Sequence, residues 1–374
     1  MADAEDGPLD PTPHPLKIFD ACRRRDKFVY ACAPMVRYSK LAFRQTVFHY
    51  GTDMCWTPMI LAKEFNRNEF ARDSDLTIST TQPQPPTIVQ FGANVPLELA
   101  RASCLAAPFV AGVDLNCGCP QSWACAETLG AALMDRRELV RDMVVETRER
   151  LRADGWGVRL EDDVENPRGR SVSVKIRIHD DLRKTIDFLD TVVGHAQARH
   201  VDWITIHPRT RHTSSTTPIS TDALELLTQK YARALPVLLS GDVFDLSAPP
   251  FRPHESASAS PARPSTTALP LAGFMSARGL LANPALHAGS PACPWDALET
   301  FLCRLVRAPL PFKLALHHVQ QMTGPGMAPD KTALLSKRER AELNAAGDML
   351  DLMDFLDRVV EQRTGRAGGV RRHL

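Results

Sequence analysis

Eight short apolar runs, separated by helical patterns and each closed by glycine, proline or a polar cluster, constrain this chain more than any other feature. The runs are Phe28–Ala33, Met54–Trp56, Thr87–Phe91, Gly112–Asn116, Ser171–Ile178, Trp203–Ile206, Pro236–Leu239 and Leu269–Met275. Most are rich in Val and Ile and apolar on both faces, as strands covered on both sides must be. Between them Ser39–Tyr50, Pro96–Ala107, Arg136–Ala153, Leu182–Ala198 and Thr221–Arg233 repeat apolar residues at a helical period. Strand alternating with helix implies parallel β/α units. Eight of them over about 250 residues predict an α/β chain folded as a (β/α)8 TIM barrel.

The strand ends point to where chemistry would sit. They read Pro34-Met35, Thr57-Pro58-Met59, Gly92-Ala93-Asn94, Gly118-Cys119-Pro120, His179-Asp180-Asp181, His207-Pro208-Arg209-Thr210, Gly241-Asp242 and Ser276-Ala277-Arg278-Gly279. Turns alone explain Gly and Pro there, but not Cys, His and Arg as well. An active site at the C-terminal face of a barrel does.

Three segments frame the barrel. Residues 1–24 are acidic and proline-rich at the start and are expected to be disordered, with the barrel over 25–290. Leu160–Arg170 reads as a solvated loop. Within the barrel, residues 244–268 form a Ser/Ala/Pro-rich, low-complexity insertion where a seventh helix belongs. Residues 291–374 are helical, with candidates at Trp295–Arg307, Pro311–Met322 and Lys337–Gln362. A basic tail follows, carrying Arg363, Arg366, Arg371, Arg372 and His373.

Composition excludes several classes. The formal net charge of +1 gives no global nucleic-acid signature, so any RNA surface must be local. No run approaches the roughly 18 apolar residues of a membrane span, so no membrane partner is expected. An acidic N-terminus argues against secretory and transit signals, and nine scattered cysteines suit a reducing compartment. A cytoplasmic location, with the nucleus as a second possibility, and a monomer are expected. Cys117, Cys119 and Cys125 are spaced C-x-C-x5-C without a matching CxxC or His pair, so zinc is the weak alternative and no metal is expected.

The individual positions carry chemistry. Val113–Pro120 is an apolar strand delivering a thiol, Cys119, beside Asn116 and a glycine; a packing cysteine needs none of those neighbours. Lys175 interrupts the apolar run SVSVKIRI, where a buried ammonium is costly unless an anion faces it. Arg177 shares that face. Gly241-Asp242 and Ala277-Arg278-Gly279 end the last two strands, where such barrels commonly hold phosphate.

The stretches APMVRYSKLAFR, CWTPMI, VQFGAN, DLNCGCPQSWA, SVKIRIHDD, ITIHPRT and MSARGLLANP resemble those of the tRNA-dihydrouridine synthases, over about Ala31 to Pro284. CGCPQ-W-A, KIRIHDDL and ARGLLANPA look most like the eukaryotic branch acting at positions 20a and 20b. The resemblance implies an FMN-holding barrel with a helical tRNA-binding domain. It implies NADPH or NADH as reductant and uridine in the tRNA D-loop as substrate. It assigns Cys119 as the general acid that protonates C5 of uracil. It assigns Pro34, Met35, Gln90, Asn116, Lys175, His207, Gly241, Asp242, Ala277, Arg278 and Gly279 to the cofactor, and Arg177 and Arg209 to the substrate. The chain departs from the family pattern at Pro208, where glycine normally follows the histidine, and at Ser240, where asparagine normally precedes Gly-Asp. Two alternatives are a flavin barrel acting on a free small molecule and an RNA-binding homologue impaired in catalysis.

Overall fold

Eight parallel strands close into a barrel in the computed structural model, which describes residues 13–79, 84–246, 271–365 and 369–370. They are β1 (Val29–Cys32), β2 (Met54–Leu61), β3 (Thr87–Gly92), β4 (Gly112–Cys117), β5 (Ser171–Ile176), β6 (Ile204–Ile206), β7 (Val237–Ser240) and β8 (Gly273–Ser276). Each pairs with the next, and β8 pairs with β1 to complete the ring. Every residue of β3, β4, β7 and β8 is buried, so most of their side chains are apolar and polar exceptions such as Gln90, Asp114 and Asn116 are buried with them. Residues 1–12, most of the 244–268 segment, and Arg366, Arg371, Arg372 and His373 of the basic tail lie outside the described residues.

The first helix corrects one expectation. Residues 15–24 are not disordered but form α1 (Pro15–Arg24), with Pro15 in the first turn and the His14 ring accepting a hydrogen bond from Leu16 N at 3.3 Å. α1 closes the N-terminal end of the barrel. Its Leu16 and Phe19 join Val29, Met54, Trp56, Ile88, Trp203 and Leu238 in the barrel interior. Phe19 lies 5.6 Å from Trp203, which meets Trp56 edge-on at 6.2 Å. Burying Leu16 and Phe19 stabilises this plug by about 1.5–3 kcal/mol each.

Around the barrel run α2 (Leu41–His49), α3 (Ala62–Arg67), α4 (Glu69–Asp75), α5 (Pro96–Ala106), α6 (Ser122–Ala126), α7 (Arg137–Ala153), α8 (Leu182–Val193), α9 (Thr221–Tyr231) and α10 (Arg278–Ala282). The predicted helix Leu182–Ala198 stops early, because Gly194 takes φ +77° and turns the chain into a two-stranded hairpin, Gly194–His195 with Ala198–Arg199. The predicted strand Met54–Trp56 instead runs to Leu61, with a register shift between Trp56 and Met59 that carries Met59 toward the mouth. Leu160–Arg170 is more ordered than a solvated loop. Asp163 is buried and accepts from Arg159 N at 2.8 Å, and the Arg168 and Arg170 guanidinium groups lie 4.5 Å and 4.4 Å from the Trp156 ring centre.

The C-terminal helices are α11 (Trp295–Arg307), α12 (Phe312–Thr323), α13 (Lys337–Leu343) and α14 (Met349–Thr364). One predicted helix, Lys337–Gln362, is thus two. The Asp348 side chain accepts from Leu350 N and Asp351 N and starts a new helix where the first has ended. These helices pack on α2 and α10 in a second core, built from Leu41, Phe43, Val47 and Leu280 with Phe301, Val319, Leu352 and Leu356. Tyr38, from the loop after β1, stacks on His317 at 4.6 Å and ties the barrel mouth to α12. Among the described residues no helix is long and apolar enough to cross a membrane.

Candidate active site at the barrel mouth

The C-terminal ends of the strands surround one open cavity of about 930 Å³, solvent at its mouth included. Of the sequence-predicted residues, Cys119, Pro34, Gln90, Asn116, Lys175, Arg177, His207, Arg209, Gly241, Asp242, Ala277 and Arg278 line it. Met35 and Gly279 do not. Met35 turns into the second core and its backbone N–H is taken by Ser39 Oγ at 3.0 Å. Gly279 is buried against the chain after β7, where an added Cβ would stand 2.4 Å from Val243 O.

Cys119 sits on a loop fixed from several sides. Its backbone N–H and that of Gly118 donate to Asn116 Oδ1 at 2.9 Å and 3.1 Å. Arg177 Nε donates to Gly118 O at 2.8 Å, and Arg177 Nη1 to Thr210 O at 2.7 Å. Gly130, at φ +59°, packs beneath: a Cβ there would come 2.5 Å from Cys119 O. Burial, foremost, pushes the Cys119 thiol above its ordinary range, with Arg177 and Lys175 opposing, so the group is a neutral S–H at pH 7. Cys117 is buried in the core and does not reach the cavity.

Lys175 rises from β5 beside Asn116 of β4, with which it is in register. Its ammonium has no hydrogen bond or ion pair among the described residues. Burial lowers it from 10.5 to about 8, helped by Arg177 and opposed by Asp114. A cation held in this way is set up to meet an anionic or electron-rich ligand.

His207 ends β6. Burial and then the neighbouring Lys175, Arg177, Arg209 and Arg278 push it down to about 2, so the ring is neutral. Arg209 Nη1 stands 3.0 Å from Nε2. A guanidinium only donates, so Nε2 accepts and the ring proton is on Nδ1. Arg209 itself is buried. It grips Asp242 with Nη2 at 2.6 Å and 2.7 Å, and Thr217 O with Nε at 2.7 Å. Its charge is therefore engaged by Asp242 within the wall of the cavity it lines. Asp242 takes φ +55°, a conformation rarely adopted outside glycine, and is held there by Arg209 and by Ile219 N at 3.0 Å. Gly241 at φ +113° passes so close to His207 that a Cβ would lie 2.9 Å from Cδ2.

Arg278 continues this wall. It donates to Ser215 O at 3.0 Å, stands 3.8 Å from Asp242 and lies over Phe244 at 5.3 Å. Ser215, Phe244 and Met59 line the cavity without having been assigned to the site; of these only Met59 had a sequence signal, in the strand end Thr57-Pro58-Met59 and the stretch CWTPMI. Among the described residues no group of three His, Cys, Asp or Glu side chains is placed to hold a metal.

A thiol acid, an unpaired lysine and a neutral histidine in one barrel mouth can be compared with known families. The dihydrouridine synthase family model matches residues 31–333. The chain belongs to the dihydrouridine synthase family. A mouse dihydrouridine synthase, named tRNA-dihydrouridine(20a/20b) synthase NAD(P)+-like, is 37% identical over 91% of this chain and 91% of its own length. The human protein of the same name is 36% identical over 91% of this chain and 93% of its own. The tRNA-dihydrouridine(20a/20b) synthase of Schizosaccharomyces pombe is 36% identical over 92% and 91%.

Proposed function

We propose that this dihydrouridine synthase reduces uridine to 5,6-dihydrouridine in the D-loop of tRNA, at positions 20a and 20b. FMN is the resident cofactor and NADPH or NADH the reductant. The observation that carries the reading is that Cys119 and the unpaired Lys175 share one cavity in a chain of this family.

The cavity residues fit FMN. Ala33, Pro34, Met59 and Met275 supply apolar wall, while Lys175 and Arg278 supply positive charge. Lys175 would answer the electron-rich ring system, and Arg278 with the backbone of Gly241 and Ala277 would hold the phosphate. His207 contributes a neutral Nδ1–H donor. When bound, FMN supplies the hydride that goes to C6 of the base and is recharged by NAD(P)H. Cys119 gives its Sγ proton to C5, is left as thiolate and regains a proton from solvent, so the base gains two hydrogens in all. Arg177 holds the Gly118 carbonyl and keeps the acid loop against the mouth. Arg209 works at one remove, fixing Asp242 and the tautomer of His207.

The substrate base must leave its stack to reach into the cavity beside Cys119. The helical domain supports tRNA as the carrier of that base. Arg307, Lys313, Lys337 and Arg338 are exposed on α11, α12 and α13, available for phosphate contacts.

The test is direct. The purified protein should show a visible flavin absorption band. With NADPH it should make unmodified tRNA two hydrogens heavier at a D-loop uridine, read by mass spectrometry of nuclease fragments. A colourless protein that leaves the tRNA mass unchanged after FMN is added refutes the reading. Turnover of free uridine in place of tRNA refutes the substrate.

A further inference from the structure

Asp114 lies at the centre of the barrel, fully buried, and nothing above gives it a task. It stands in register with Gln90 of β3 on one side and Ser173 of β5 on the other. Ser173 Oγ donates to Oδ1 at 2.6 Å and Gln90 Nε2 donates to Oδ2 at 2.7 Å. Gln90 Oε1 in turn accepts from Asn116 Nδ2 at 2.7 Å. Asn116 Oδ1 accepts the backbone N–H groups of Gly118 and Cys119.

The direction of every bond in this chain is fixed by chemistry. A backbone N–H can only donate, so Asn116 must turn its oxygen toward Cys119 and its NH2 toward Gln90. Gln90 must then offer its oxygen to Asn116 and its NH2 to residue 114. Position 114 must therefore present an acceptor. An apolar side chain there would leave a buried N–H without a partner, and the cheapest relief is for both amides to turn over and release the Cys119 loop.

We propose that Asp114 is a positioning residue for the acid, ordering Gln90 and Asn116 so that Cys119 is held at the cavity. The inference rests on the reading of Cys119 as proton donor. Burial raises Asp114 to about 6, with Gln90, Ser173, Lys175 and Trp56 opposing, so the group is retained in the core despite a real desolvation cost.

The test separates hydrogen-bond order from charge. Asp114→Asn keeps an acceptor for Gln90 and turns its NH2 to Ser173, whereas Asp114→Leu offers nothing. Asn116→Asp opposes the chain, because two acceptors then face Gln90. In the double variant D114N/N116D the chain runs backward with every bond satisfied. Gln90 turns over, accepts from the side-chain NH2 that D114N introduces, and donates to the carboxylate that N116D introduces. The first readout needs neither flavin nor tRNA. It is the rate of Cys119 alkylation by iodoacetamide at pH 8, with the site localised by peptide fragmentation. The second is the rate of tRNA reduction in a single turnover, compared with reduction of the loaded enzyme by NADPH.

D114L should alkylate severalfold faster at Cys119, because a released thiol is less buried. It should slow the tRNA step by about tenfold or more, since a misplacement of about 1 Å can cost on the order of 10²-fold. NADPH reduction should stay near wild type. D114N should remain within a few-fold of wild type in all three. N116D should alkylate fast, and D114N/N116D should return the alkylation rate toward wild type. An unchanged Cys119 rate in D114L overturns the proposal. So does a D114N as altered as D114L, which would make charge the operative property. If D114L does not fold, N116D against the double variant decides alone, and no recovery in the double overturns it. Because alkylation is independent of turnover, a failed relay is distinguishable from a wrong function.

Discussion

Lys175→Met should make the empty protein more stable and less able to hold FMN. The ammonium stands without a hydrogen bond in the half-buried wall of the cavity, and its fall from 10.5 to about 8 corresponds to at most about 3 kcal/mol at roughly 1.36 kcal/mol per tenfold. The sign follows from proton counting. The folded value lies below the unfolded one, so the unfolded chain binds more protons between pH 8 and 10.5, and stability rises across that window. The penalty is fully present below about pH 8 and is relieved as the pH climbs to 10.5. Methionine has no charge and a similar volume, so it removes the penalty at pH 7 without opening a cavity. Asp114 loses a favourable neighbour in the same change, so the net gain falls short of the full 3 kcal/mol. Denaturant unfolding of the flavin-free proteins at pH 7 and pH 10 measures this. The variant should lead at pH 7 and lose most of its lead at pH 10. Added FMN at about 100 times its Kd should stabilise wild type by about 2.7 kcal/mol and the variant by much less. A variant weaker than wild type at pH 7, or stabilised equally by FMN, would refute the reading of Lys175 as an unpaired cation aimed at the ligand.

Cys119→Ala removes only the proton donor, so dihydrouridine formation should fall by about 10²–10⁴-fold while flavin absorption is kept. Cys117→Ala should cost far less, and mass spectrometry of the tRNA showing the reverse order would misplace the acid. Arg209→Met leaves Asp242 without its buried partner and should destabilise by about 3–5 kcal/mol. Adding Asp242→Asn should recover part of that loss in a denaturant melt, and strictly additive effects would show that the pair is not coupled. Lys337→Glu with Arg338→Glu should weaken tRNA binding and flatten its salt dependence, with filter binding at two salt concentrations as the check. Binding equal to wild type at both would remove α13 from the RNA surface. Truncation after 291 is the poorer experiment, because it uncovers Leu41, Phe43 and Val47.

The barrel was legible because the strands are buried on both faces and punctuated by glycine, proline and polar ends. The site was legible for a related reason: Cys119, Lys175 and His207 each break a hydrophobic pattern at a strand end or inside a strand. What escaped depends on partners distant in sequence. α1 lies next to an acidic, proline-rich segment, and its reason to fold is the open end of a barrel made by later residues. Arg209 reads as a cation free for RNA until Asp242, thirty-three residues on, is folded against it. Arg148, which pairs with buried Asp202, is likewise an ordinary helical arginine in the sequence. The division of Lys337–Gln362 was written locally in Gly347-Asp348, but a helical period on both sides masks a break whose two halves bury residues in the same core.

The electrostatics of the mouth tie these points together. Burial first, and then the crowd of Lys175, Arg177, Arg209 and Arg278, keeps His207 without its second proton, while Asp242 pairs with Arg209 and, at longer range, Arg278. Such a wall carries more positive charge than its own residues answer. In the empty protein that excess works against folding, as Lys175 shows most plainly. A phosphate and an electron-rich ring would answer it where the unpaired N–H groups point, so the energy withheld from the fold is available to the ligand. Cys119 stands outside this logic. Its thiol is kept neutral by burial and its place is fixed by amide hydrogen bonds instead of charge, which is what a proton donor beside so many cations requires: an acid those cations do not ionise before the base arrives.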